Sequence, residues 1–122
     1  MKNSGKDDAG PERLWNALHY SLAGFAAACK NETAFQHELL LALALIPAAI
    51  LLPVGTIGKA LMIASVILVL VVELLNSAIE AAVDRISLED HELAKRAKDM
   101  GSAAVMLSLV NLAAVWLLVI FF

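Results

Sequence analysis

The chain is poor in charge and in covalent or conformational punctuation. Its 122 residues include one cysteine, three prolines and six glycines, and 17% are charged. A lone Cys29 makes no internal disulfide and builds no zinc site by itself. A formal net charge of −3 supplies no basic field, which argues against nucleic acid as a partner. No Gly-rich phosphate loop of the Walker or protein-kinase type occurs. The missing charge is concentrated: residues 39–58, 60–72 and 100–122 carry none, giving runs of 20, 13 and 23. Soluble domains are about 25% charged, so these runs exclude an ordinary soluble enzyme and a disordered chain alike. What is present is 61% hydrophobic. About 20 mostly apolar residues suffice for a helix to cross a bilayer.

The pattern predicts an all-α membrane protein. Residues 1–12 read as a flexible polar tail rather than a signal peptide, ending near Pro11, which suits a helix start. Leu14, Leu18, Leu22, Phe25 and Cys29 recur at steps of 4, 4, 3 and 4, so residues 13–31 form an amphipathic helix expected to lie along the membrane surface. Spans are expected at about 34–52, with Pro47 kinking the first, then 60–83 and 100–122. Segment 84–99 is a polar, partly helical connection, and residues 13–122 form one integral-membrane domain. Eight of the nine Lys and Arg residues lie in the first 38 residues or in 84–99, and Lys59 alone lies in the turn between spans one and two. The positive-inside rule then places the N-terminus and 84–99 in the cytoplasm and the C-terminus outside. In the third span Gly101, Ala104, Ser108 and Asn111 share one face, expected to pack against a helix, with Asn111 bonding across it.

The informative stretch is VELLNSAIEAAVDRI, residues 72–86. Glu73, Asn76, Glu80 and Asp84 are spaced 3, 4 and 4 and fall within roughly 80° of one another on a helix, with Ser77 beside them. A carboxylate at the centre of a membrane helix costs about 2.5–3.5 kcal/mol on insertion scales. Glu73 lies about 18 Å from Arg85 at helical rise, well below the surface. Interhelical hydrogen bonding accounts for Asn76 and Ser77 as readily as chemistry does. The two glutamates point to proton or cation handling, or to magnesium held for phosphoryl transfer. By topology Glu32, Glu80, Asp84, Lys98 and Asp99 gather at one membrane face, a site suited to a polyanion, with Glu73 beneath. The residues alone leave open an enzyme, an ion-handling protein that uses Glu73 and Glu80, and a structural subunit.

The stretch ELLNSAIEAAVDRI (73–86), with AKDMGSAAV (97–105), ALHYSLAG (17–24) and NETAF (31–35), resembles the prokaryotic diacylglycerol kinase family over residues 13–122. The resemblance implies a homotrimer in the bacterial inner membrane, each subunit with a surface helix and three spans, and active sites shared between subunits. It implies transfer of the γ-phosphoryl group of ATP to diacylglycerol with Mg2+, giving phosphatidate. By the family pattern Glu73 is the catalytic base, and Glu32 and Glu80 hold the metal that bridges the ATP phosphates. Arg13, Tyr20, Glu89, Asp90, His91, Lys98 and Asp99 would contact the nucleotide. Arg13, Ser21, Ala34, Phe35, Glu38, Glu73, Ser102 and Trp116 would meet the lipid or shape its site, with Asn76 and Asp84 in support. Relatives that share the core motif act on undecaprenol instead, which leaves a polyprenol as the alternative substrate.

Overall fold

A computed structural model describes residues 10–86 and 91–122. It contains four α-helices: α1 (Gly10–Asn31), α2 (Thr33–Leu51), α3 (Thr56–Ile86) and α4 (Glu92–Phe121). The last three are long and apolar enough to cross a membrane. Among the described residues there is no strand. Helix α1 begins at Gly10, so Pro11 falls in its first turn instead of in a tail. There its missing N–H removes no helical bond. Residues 1–9, the rest of the expected tail, lie outside the described residues.

Helices α1 and α2 form a bent rod with a one-residue break. Glu32 at the break is extended, with φ −112° and ψ 105°. The backbone bonds flank it: Glu32 N–H donates to Ala28 O at 2.9 Å, closing α1, and Glu32 O accepts from Gln36 N–H at 3.0 Å, opening α2. The Gln36 amide Nε2 straps the two helices together across the break, donating to Cys29 O at 2.7 Å. Inside the bend the Phe25 and Phe35 rings meet edge to face with centroids 5.3 Å apart, and Phe35 is fully buried. Helix α2 runs unbroken through Pro47.

Helix α3 is the centre of the bundle, packed by α2 on one side and α4 on the other. Its 31 residues span about 46 Å at 1.5 Å per residue, well beyond a hydrocarbon core of about 30 Å. The α2–α3 turn is closed by Lys59. Its Nζ donates to Ala49 O at 3.3 Å, Ile50 O at 2.5 Å and Leu52 O at 2.7 Å. These carbonyls end α2 and have no helical donor, so a cation is the natural partner. Nearby, Trp116 Nε1 of α4 donates to Ser65 Oγ at 3.2 Å and Met62 O at 3.3 Å, and Ser65 Oγ donates to Met62 O at 2.7 Å.

Helix α4 departs from expectation twice. It starts at Glu92, so the helical part expected in 84–99 is continuous with the third span instead of separate from it. The i,i+4 ion pairs Glu92–Arg96 (3.9 Å) and Lys95–Asp99 (2.8 Å) support that turn. The face turned to α3 carries buried Gly101 and Ser108, whereas Ala104 and Asn111 are exposed. The shared face expected for all four therefore splits. The contact follows positions 101, 105, 108, 112 and 116, along which Val105, Leu112 and Trp116 are half-buried.

Candidate functional site

The spacing of the polar residues on α3 translates directly into place. Glu73, Asn76 and Ser77 are buried at 6%, 8% and 9% exposure, and Glu80 one turn further is half-buried. Each neighbouring helix brings one residue to this stripe. From α2, the Glu38 carboxyl lies in hydrogen-bond contact with Glu73, while its Oε2 is buried with no partner among the described residues. From α4, Gly101 lies against the Asn76 carboxamide. Within the stripe Asn76 Nδ2 donates to Glu80 Oε1 at 3.4 Å.

Glu32 stands at the break between α1 and α2, half-buried and with no side-chain cap bond to the helix that follows. It and Glu80 are both near enough to act electrostatically on Glu73. Four carboxylates, Glu32, Glu38, Glu73 and Glu80, thus converge from α2, the α1–α2 break and α3. Beside Glu32 an open groove of about 680 Å³ runs between α1 and α3, lined among others by Ser21, Phe25, Ser77 and Ala81. At the Asp84 end, Lys98 Nζ of α4 pairs with Asp84 Oδ1 at 2.7 Å, and Lys95 Nζ with Asp99 Oδ2 at 2.8 Å. His91 caps α4, its Nδ1 accepting from Leu93 N–H at 3.1 Å. That bond leaves Nε2 as the nitrogen free to carry the proton.

Several expected residues stand apart within one chain. Arg13 and Tyr20 on α1, Ala34 at the start of α2 and Ser102 on α4 are exposed. Trp116 is bonded to Met62 and Ser65, and Met62 lies about 16 Å along α3 from Glu73 at helical rise. Glu89 and Asp90 lie outside the described residues. Glu38, expected beside the lipid, also sits against Glu73. It marks where the uncharged run of α2 begins, and only the pairing of α2 with α3 shows what it meets.

Fold and site define a small membrane protein with three helices long and apolar enough to span, a cluster of carboxylates against its central helix, and the ion-paired Lys98 near one end of that cluster. The family described as prokaryotic diacylglycerol kinase matches residues 19–120. The chain belongs to that family. It is 55% identical over 111 residues to a Pseudomonas aeruginosa protein named diacylglycerol kinase, covering 91% of this chain and 90% of the relative. A Haemophilus influenzae protein of the same name is 51% identical over 113 residues, covering 93% and 96%. One from Escherichia coli K12 is 49% identical over 104 residues, covering 85% of each chain.

Proposed function

We propose that the protein is an ATP-dependent diacylglycerol kinase that makes phosphatidate at the membrane. The observation that carries the reading is the convergence of Glu73, Glu38, Glu80 and Glu32 beneath Lys98, in a chain that belongs to this family. The family resemblance and the names of the relatives favour diacylglycerol over a polyprenol. A channel or structural subunit needs no basic residues stationed above such a pocket.

In the transfer the primary hydroxyl oxygen of the lipid bonds to the γ-phosphorus as the bond from that phosphorus to the β,γ-bridging oxygen breaks. ADP leaves, and the hydroxyl proton passes to the Glu73 carboxylate. Phosphoryl transfer asks mainly for positioning and charge neutralisation. Burial keeps water from competing for Glu73, and its place within the bilayer suits an acceptor that never leaves the membrane. Lys98 exchanges Asp84 for phosphate oxygens when nucleotide arrives, and Asp84 thereby keeps the ammonium over the site beforehand.

Glu32 and Glu80 are hard oxygen donors. Among the described residues no group of three or more potential ligands forms a cage. That fits magnesium, which takes one or two carboxylates and completes its shell with phosphates and water. Bound with ATP, the ion would neutralise phosphate charge.

Residues 13–122 act as one kinase domain in the inner membrane, with the Asp84 end cytoplasmic. The unit is a homotrimer. This is supported by the exposure of Arg13, Tyr20, Ala34 and Ser102 in the single chain and by the exposed Asn111 in the middle of α4. A neighbouring subunit brings the exposed site residues to the carboxylates. The test is transfer of label from γ-labelled ATP by purified protein to diacylglycerol and, separately, to undecaprenol. Phosphatidate with a requirement for magnesium is expected. Labelled undecaprenyl phosphate alone would move the substrate to the polyprenol, and ATP turnover without a lipid product would overturn the reading.

A further inference from the structure

Gly101 has no conformational reason to be glycine. No glycine among the described residues has a positive φ, and Gly101 sits inside a regular helix, where glycine is less stable than alanine. What it does offer is an absent side chain. A Cβ built at Gly101 would collide with Asn76 Oδ1 and lie 3.1 Å from Asn76 Cγ.

The Asn76 carboxamide is held between two neighbours with opposite demands. Its Nδ2 donates to Glu80 Oε1 at 3.4 Å. Its Oδ1 is buried with no hydrogen-bond partner among the described residues. A carboxylate accepts only from the NH2 end of an amide, so Glu80 selects this orientation and the carbonyl end must turn to α4. Helical side chains have few allowed rotamers, and no larger residue at position 101 leaves room for this one.

We propose that Gly101 is a positioning residue that acts through Asn76 on Glu80. By leaving space for Oδ1, it keeps Nδ2 against the Glu80 carboxylate and so fixes how that carboxylate is presented. The α3–α4 packing is thereby coupled to the metal–nucleotide site. The proposal rests on the reading that Glu80 holds the metal. Groups that orient a metal-binding carboxylate typically change metal affinity by about 10–100-fold when removed.

The experiment measures Mn2+ affinity by electron paramagnetic resonance on the purified protein in lipid, with a non-hydrolysable ATP analogue present, alongside KM and kcat for magnesium–ATP. Gly101→Ala is expected to weaken Mn2+ binding about tenfold and to raise KM more than it lowers kcat. Asn76→Ala is expected to do the same. The double variant G101A/N76A is expected to match N76A alone, because the oxygen that the added methyl group would strike is gone. Wild-type Mn2+ affinity in G101A overturns the proposal, and so does a double variant whose loss is the product of the two single losses. Should G101A fail to assemble, the double variant decides: it must assemble and behave as N76A, and failure to do so overturns the proposal. Glu80→Gln separates the two levels. If E80Q binds Mn2+ as wild type does, the metal reading falls and takes the positioning role with it. If E80Q binds weakly while G101A binds normally, only the positioning role falls.

Discussion

The two halves of α3 treat polar groups in opposite ways. Toward the Lys59 end the polar groups described are matched. Ser65 bonds to Met62 O and receives Trp116 Nε1, and the Lys59 ammonium meets three carbonyls. Toward the Asp84 end the account stays open. Carboxyl faces carboxyl at Glu38 and Glu73, and Glu38 Oε2 and Asn76 Oδ1 have no partner among the described residues. Close approach of α4 occurs at both ends but differs in kind. A Cβ at Gly58 would come within 2.9 Å of Val119 Cγ1, an apolar side chain, whereas at Gly101 it would strike a carboxamide. Buried polar groups that are fully bonded hold a structure together. Those left under-satisfied inside a membrane are expensive to keep, and they lie in the half to which the proposed function assigns substrate and metal.

That contrast is broken most sharply at its acidic end. Glu73→Gln keeps the shape and removes the proton acceptor, so turnover should fall by about 10²–10⁴-fold. Nucleotide binding, read by calorimetry, should persist. Wild-type turnover would make Glu73 a packing residue like Ser65. Next come Glu32→Ala and Glu80→Ala. Each should raise the magnesium concentration needed for half-maximal rate, by at least about tenfold, and the double variant should show less than the combined loss because both act on one ion. Unchanged magnesium dependence in both would move the metal elsewhere.

At the other end the effects should fall on stability. Lys59→Met strips its bonds from three carbonyls, of which Leu52 O keeps Val54 N–H as a donor, and should cost about 1.5–3 kcal/mol, the range for charged hydrogen bonds, seen as a lower Tm in detergent. Catalytic rate per folded protein should hold. Ser65→Ala removes one of the two acceptors of Trp116 Nε1 and leaves Met62 O, so it should cost about 0.6 kcal/mol, the average for polar contacts between membrane helices, again without loss of rate. A Ser65→Ala protein that was stable but slow would erase the division between the two halves.

Much of this was legible before the fold. The uncharged runs announced three spans, because a bilayer demands length and apolarity and little else. The 3, 4, 4 spacing put Glu73, Asn76 and Glu80 on one stripe, because helical geometry is local. Contacts between helices were not legible. Helix α4 is apolar nearly all round, so no amphipathic signal marks which side meets α3. Of the four residues picked out for that face, Gly101 and Ser108 are buried, and the rest of the contact within the chain runs through Val105, Leu112 and Trp116. Segment 84–99 read as partly helical, and 92–99 is helical and continuous with the span, because opposite charges at i,i+4 support a helix as well as they suit solvent. That Glu38 meets Glu73, and Gly101 meets Asn76, depends on how far one helix slides along another, which no single segment encodes.

The bend at Glu32 has a mechanical meaning. A single residue separates the helices, Glu32 N–H closing α1 on Ala28 O and its carbonyl opening α2 from Gln36 N–H, and the Gln36 amide ties the two helices together at Cys29 O. The joint is therefore a stiff elbow and not a slack tether. Any change in the angle between α1 and α2 falls on Glu32 itself, since no loose chain lies between them to absorb it. Helix α1 is built as a lever arm with a carboxylate at its fulcrum.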